Sequence, residues 1–253
     1  MRCLVYGLLA GVTASAAPIH FQSSENQTAL IELYTSEGCS SCPPAEAWLS
    51  RLKDQPGLWS DFVPVALHVD YWDYLGWRDK WASGQFSERQ RNYAGVWRSK
   101  NIYTPEFVLN GKEWRQGFGQ NGVPGLSSTK AGILKVASQD TYHWQVRFIP
   151  AAGGTTGYEV NAALLVCGLG SDVKAGENAG RHLQHDFVVL TLINQPLVRA
   201  NSGFQGTFTM AAGRKTPGGR LALAVWATGS GSLEPVQAVG GWLVPPEKTA
   251  GRD

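Results

Sequence analysis

The chain has almost no excess of either charge: 22 Lys and Arg against 20 Asp and Glu leave a formal +2 over 253 residues. No run of like charge concentrates that small surplus, so nothing marks nucleic acid or an acidic membrane as a partner. Beyond the first residues there is no apolar stretch of the roughly 20 residues that a membrane span needs, so no stable membrane insertion is expected. Internal repeats are absent as well. Cysteine is scarce, at four residues, so a thiol function has few candidates. What is present is ordinary for a globular protein: 43% hydrophobic and 17% charged residues. Ten tryptophans and thirty glycines suggest broad aromatic packing, many tight turns and substantial β structure.

The segment Met1-Arg2-Cys3-Leu4-Val5-Tyr6 through Ala14-Ser15-Ala16-Ala17 runs from a basic residue through a short apolar stretch to small residues. That is the pattern of a cleavable secretory leader over 1–17, with cutting after Ala16 or Ala17, an uncleaved anchor being the alternative. The expectation is a periplasmic or secreted protein. An oxidising compartment lets a disulfide persist. Cys3 leaves with the leader, and Cys39, Cys42 and Cys167 remain. The two-residue gap makes Cys39–Cys42 the natural pair. Cys167 ends the apolar run Ala162-Ala163-Leu164-Leu165-Val166 and reads as a buried, inert thiol.

Along the chain, Ala29 to Tyr34 reads as a buried strand. Cys39-Ser40-Ser41-Cys42-Pro43-Pro44 follows, then Ala45, Trp48, Leu49 and Leu52 at helical spacing. A second strand runs from Phe62 to Val69. This is a strand–helix–strand unit with a parallel pair. A helix is predicted from Ser87 to Trp97 with Ser87 as its N-cap. Glu106 to Leu109 is a short strand, and Asn110-Gly111 signals a hairpin returning near Trp114 to Gly117. A further helix is predicted from Ser127 to Ser138. After about Asp140 only strand-like runs remain: Tyr142 to Ile149, Tyr158 to Cys167, Asp186 to Ile193, Phe204 to Met210, Leu221 to Ala227 and Pro235 to Leu243. Their spacing suggests an antiparallel sandwich or a flattened sheet.

Disulfide exchange needs one thiol to attack and a second to resolve the mixed species. A CxxC at a helix start supplies both, with unpaired backbone N–H groups favouring the first thiolate. Cys39 is the candidate attacker and Cys42 the candidate resolver. A structural disulfide, or half of a zinc site, is the blander reading of the same two residues.

Leu33-Tyr34-Thr35-Ser36-Glu37-Gly38-Cys39-Ser40-Ser41-Cys42 before a helix resembles the active-site segment of thioredoxin-like proteins. Thr104-Pro105 is similar to their cis-proline loop. The resemblance implies that Pro105 supports the dithiol and that Thr104 offers main-chain hydrogen bonds to a client. Ser36 to Ala45, His68-Val69-Asp70-Tyr71-Trp72-Asp73, Tyr103-Thr104-Pro105 and Gly176-Glu177-Asn178-Ala179-Gly180-Arg181 also resemble motifs of the secreted bacterial domain-of-unknown-function family 1223, over roughly Leu30 to Leu243. The fold class expected is an α/β thioredoxin-like N-terminal domain over 28–139 plus a mainly antiparallel β, sandwich-like C-terminal domain over 140–244. A disordered tail is expected over 245–253. Pro43-Pro44 departs from a standard thioredoxin: two N–H groups are missing and the regular helix is expected to start late.

Several residues are secondary candidates. His68 and Asp70, at the carboxyl end of a strand, suit proton transfer, a metal site of Cys39, Cys42 and His68, or loop anchoring. Glu32 interrupts a buried run; it suits accepting a proton from Cys42, pairing with a basic residue, or reaching solvent. His182 and His185 are a weak metal pair. Glu177, Asn178 and Arg181 read as turn and capping residues, with an interaction role left open by the family resemblance, and the aromatic stretch from Tyr71 to Trp97 as packing or a client surface. Taken together, the residues favour an exported thiol-disulfide oxidoreductase acting on a protein client or redox partner. Its own sulfurs do the chemistry, so no organic cofactor is implied. A copper or zinc carrier and a non-catalytic interaction protein stapled by its disulfide are the alternatives.

Overall fold

A computed structural model of the chain describes residues 18–115, 125, 127–152, 155–210 and 218–243. The leader, the tail beyond 243 and Gly117 lie outside them. The strands are β1 (Ile19–Gln22), β2 (Ala29–Thr35), β3 (Phe62–His68), β4 (Glu106–Leu109), β5 (Lys112–Glu113), β6 (Gly132–Ser138) and β7 (His143–Pro150). They continue as β8 (Tyr158–Cys167), β9 (Leu169–Asp172), β10 (His182–His185), β11 (Val188–Ala200), β12 (Gly203–Thr209), β13 (Arg220–Gly229) and β14 (Pro235–Trp242). The α-helices among the described residues are α1 (Pro43–Ser50) and α2 (Gly84–Trp97). None is long and apolar enough to cross a membrane.

The strand–helix–strand unit forms: β2 and β3 are parallel in register from Ala29↔Phe62 to Thr35↔His68, and β4 runs antiparallel to β2. Asn110 and Gly111, both at positive φ, turn β4 into β5, as a two-residue hairpin requires. The expected partition into an α/β thioredoxin-like domain and a separate β-sandwich is overturned. Strand accounts for 47% of the described residues and helix for 14%, and one mixed sheet of twelve strands runs through both halves. The link is β11. Its start pairs parallel with β3 at Val188↔Ala66, its length pairs antiparallel with β8, and its end pairs with β12. A hydrophobic pattern marks a strand but does not name its partner, so this join was invisible in the runs themselves.

The period of two then divides the side chains between two cores. Leu165 of β8 and Ala224 of β13 enter a core shared with β2, β3, α1 and α2. Their neighbours Leu164 and Val225 enter the opposite one, built with β6, β7 and β12. Sheet faces that one half alone would leave bare are thereby covered on both sides.

Three local expectations change. Residues 132–138 form β6, not a helix, because Leu134 and Val136 alternate with more exposed neighbours. Helix α2 starts earlier, and its N-cap is Ser83, whose side chain accepts from the Gln85 amide. Helix α1 is not delayed: Pro43 and Pro44 form its first turn, where the lost N–H groups have no helical acceptor to miss.

Because both cores share β8 and β13, Leu164→Ala and Leu165→Ala should each cost about 2–5 kcal/mol and lower the same unfolding transition. Circular dichroism and tryptophan fluorescence should coincide in denaturant. Two separated transitions, each sensitive to one variant, would contradict the shared architecture.

Candidate functional site

Between the end of β2 and the start of α1, Cys39 and Cys42 form a disulfide with Cα atoms 5.5 Å apart. The local chain is tightly turned: the Cys39 amide donates to Ser36 O and the Cys42 amide to Cys39 O. Cys39 is 2% exposed and Cys42 fully buried. The Thr104–Pro105 peptide bond is cis. The Ser41 hydroxyl lies 3.4 Å from the Cys39 sulfur and donates to Thr104 O at 3.5 Å. The disulfide and the carbonyl before the proline therefore flank one hydroxyl.

The segment after β3 leans on this loop. A Cβ on Gly38 would meet Trp72 Cβ at 3.0 Å, so any larger residue there would press Trp72 away from the loop. Trp72 Nε1 donates to Thr104 Oγ1 at 2.7 Å, and its ring stacks on Tyr74, which is 77% exposed. The aromatic insertion thus supplies packing at Trp72 and an open apolar lip at Tyr74. Asp70 takes the anchoring role: it accepts from Ser87 Oγ at 2.5 Å, fixing the start of α2.

The other wall comes from the loop between β9 and β10. Asn178, fully buried, donates through Nδ2 to Glu37 O at 2.9 Å and Cys39 O at 3.0 Å. Glu177 accepts from the Ser40 amide at 3.0 Å, and the Ser40 side chain and then this amide hold its carboxyl below the usual range. One backbone donor that would otherwise face a thiolate at Cys39 is already engaged. Pro43 and Pro44 contribute none, and the Ala45 and Glu46 amides donate to Cys42 O. The helix end therefore offers a thiolate less stabilisation than an uncapped helix would.

Beneath the disulfide lies a buried polar cluster. Glu46 of α1 accepts from Thr35 Oγ1 at 2.6 Å and pairs with His185 Nδ1. His185 Nε2 lies 3.2 Å from Glu37 Oε1, and Glu37 Oε2 accepts from Trp77 Nε1. Burial opposes a charge on His185, but Glu37 and Glu46 push its pKa up to about 10. His68 Nδ1 lies 2.7 Å from Asp79 Oδ2. Burial likewise opposes a charge on His68, and Asp79 outweighs it, raising the pKa. Ring centroids of the two histidines are 5.2 Å apart.

The structure gathers Cys39, Cys42, Thr104 and Pro105, and brings His68 to the cluster beneath them. It does not use Glu32 at the sulfurs. Arg89 holds that carboxylate with two donors at 2.7 and 3.1 Å, and Tyr93 and Tyr34 donate to it too. Pairing with a basic residue is the reading that holds. Among the described residues, the groups that could share a metal ion with His68 are Glu46 and His185 rather than the two cysteines. His182 and His185 do not act as a pair: His182 is exposed beside Asp172, and His185 points inward. Cys167 is buried, and burial pushes its thiol up to about 12. Sequence reasoning missed Glu37, Glu46 and Asp79, and for Asn178 offered a turn or capping role with an unspecified interaction role as the alternative. The one available signal was Glu46, four residues after Cys42 and so on the same face of α1.

The family model described as a protein of unknown function (DUF1223) matches residues 30–227. The chain belongs to this family. The DUF1223 match takes in both walls of the site. No curated protein matches the chain. Among solved structures, a protein from Agrobacterium tumefaciens is similar at 24% identity and a TM-score of 0.59, covering 91% of this chain and all of that one. HBP35 of Porphyromonas gingivalis is similar at 14% identity and a TM-score of 0.53, covering 91% and 80%. Both are likenesses of fold.

Asn178→Ala removes two buried donors, which should cost about 1–3 kcal/mol and speed disulfide reduction by dithiothreitol about tenfold; an unchanged rate would show that the loop does not guard the sulfurs. A pH effect should come from Glu106, beside Pro105, where burial raises the pKa to about 7. The unfolded chain releases that proton first, near the ordinary value of about 4.3. The group's stability contribution is then full below pH 4.3 and lost as pH rises through 7. Glu106→Gln should flatten denaturant midpoints across that window, and a slope equal to the wild type would contradict this.

Proposed function

We propose that this protein exchanges disulfides with a protein client through Cys39 and Cys42. The observation that carries the reading is the Cys39–Cys42 disulfide at the first turn of α1, with Ser41 linking it to the Thr104 carbonyl. In the reduced protein, the Cys39 thiolate attacks a client disulfide, forming a mixed disulfide and releasing one client thiolate. Cys42, deprotonated, then attacks the Cys39 sulfur and releases the second client thiolate. The client gains two electrons and the pair becomes a disulfide again; the reverse sequence oxidises a dithiol client. Cys39 is assigned the attack because it is the first cysteine of the pair, ahead of the helix start, where CxxC chemistry places the attacking thiolate. The exposed Tyr74 beside Trp72 supports an apolar client segment at the lip. Export by the leader supports the same chemistry, since an oxidising compartment keeps the pair oxidised.

Burial favours a second reading, a structural staple in a non-catalytic protein, because a client sulfur needs the loop over Cys39 to open. The two readings differ in their intermediates. Cys42→Ser should accumulate a covalent client adduct that dithiothreitol releases, and Cys39→Ser should form none and lose insulin reduction to the uncatalysed rate. Adduct formation by neither variant, together with a large drop in melting temperature on reduction, would establish the staple instead.

A further inference from the structure

The polar cluster beneath the disulfide is built as more than a set of ion pairs. Glu46, His68 and His185 come from α1, β3 and β10, and are 6%, 0% and 1% exposed. One nitrogen from each ring and one Glu46 oxygen all lie within 4.8 Å of one another. Bonds of about 2.0–2.2 Å to a zinc-like ion would set these atoms roughly 3–4 Å apart. Small side-chain shifts bring them there.

His68 and Glu46 each have a hydrogen-bonded partner on the far side, and His185 has a carboxylate close by. His68 gives Nδ1 to Asp79, while its Nε2 is buried with no hydrogen-bond partner among the described residues. His185 turns Nδ1 to Glu46 and has Nε2 3.2 Å from Glu37 Oε1, without hydrogen-bond geometry. Glu46 has its other oxygen held by Thr35 Oγ1. A carboxylate behind each imidazole is the arrangement that fixes the ring and its tautomer for metal binding.

Charge alone does not choose the occupant. Three carboxylates with two imidazolium rings, or with two neutral rings and a divalent ion, carry the same net charge. The orphaned nitrogen favours an ion over an imidazolium at His68. A proton on His68 Nε2 would be a buried donor without an acceptor, at a cost of about 1–3 kcal/mol. As a lone pair facing a cation, the same atom is satisfied. A cleft of about 350 Å³ between Pro43, Ser50, Lys53 and Arg181 is lined in part by Glu46, while His68 and His185 lie behind it, off its lining.

We propose that Glu46, His68 and His185 bind one first-row divalent transition ion, with Asp79 and Glu37 orienting the two rings. Imidazole nitrogen and carboxylate oxygen suit Zn²⁺ and its neighbours over Mg²⁺ or Ca²⁺. The site uses neither sulfur and stands independently of the exchange chemistry. Its ion would join α1, which follows Cys42, to β3 and β10.

The test uses the full chain with its disulfide intact, stripped with a chelator. Zn²⁺ is titrated in competition with a chromophoric chelator, and Co²⁺ is followed by visible absorption. The expected result is one ion per chain, ligand-field bands without a thiolate charge-transfer band, and uptake abolished in His68→Ala and His185→Ala. Asp79→Asn keeps all three ligands and should weaken binding about 10–100-fold, which keeps the test decisive if an alanine variant fails to fold. No stoichiometric uptake, uptake indifferent to His68→Ala and Asp79→Asn, or uptake that appears only after the cysteines are reduced would overturn the proposal.

Discussion

His185 stands between Glu46 and Glu37, and the rest of the site depends on that bridge. Glu46 belongs to the helix that follows Cys42, Glu37 to the turn that precedes Cys39, and His185 to a strand 139 residues beyond Glu46. All three are buried, so the bridge is felt in a low-dielectric interior. Removing one member of such a buried group typically costs about 3–5 kcal/mol, because it strands the charge that remains. The CxxC turn is therefore not a local device. It is held shut by the strand-rich half of the chain, through His185 below and Asn178 at the side.

That arrangement bears on reactivity as well as on stability. A thiolate at Cys39 loses helix-end donors to the two prolines and the Ser40 amide to Glu177. What the site offers instead is coverage: Trp72 on one wall, the loop carrying Glu177 and Asn178 on the other, and an exposed Tyr74 above. Access and chemistry are thus governed by the same few contacts. A client that displaced the Asn178 loop would free the Cys39 carbonyl and open the sulfur in one motion, so specificity can reside in the cover.

Much of this was legible in the sequence wherever a feature is local. The apolar run in Tyr158–Cys167, the Asn110-Gly111 turn and the CxxC between a strand and a helix each carry their physics within ten residues. The helix expected over 127–138 failed because Gly132–Ser138 has its buried positions at a period of two, and the charged Lys135 points outward as a strand residue should. What sequence could not give was pairing across distance. Nothing in Val188–Ala200 says that it meets β3, β8 and β12 in turn, and that strand is why the expected two-domain fold gave way to one sheet. Asn178 and His185 were hidden for the same reason: a side chain 139 residues from the atoms it holds leaves no periodic trace.

The central claim, that Cys39 is a guarded but reactive sulfur, is tested most directly by timed alkylation of the reduced, folded protein with the labelled cysteines located by mass spectrometry. The account predicts that Cys39 is modified first, ahead of Cys42 and Cys167, while the far-ultraviolet circular dichroism is unchanged. Simultaneous labelling of all three cysteines, and only as the protein unfolds, would contradict it.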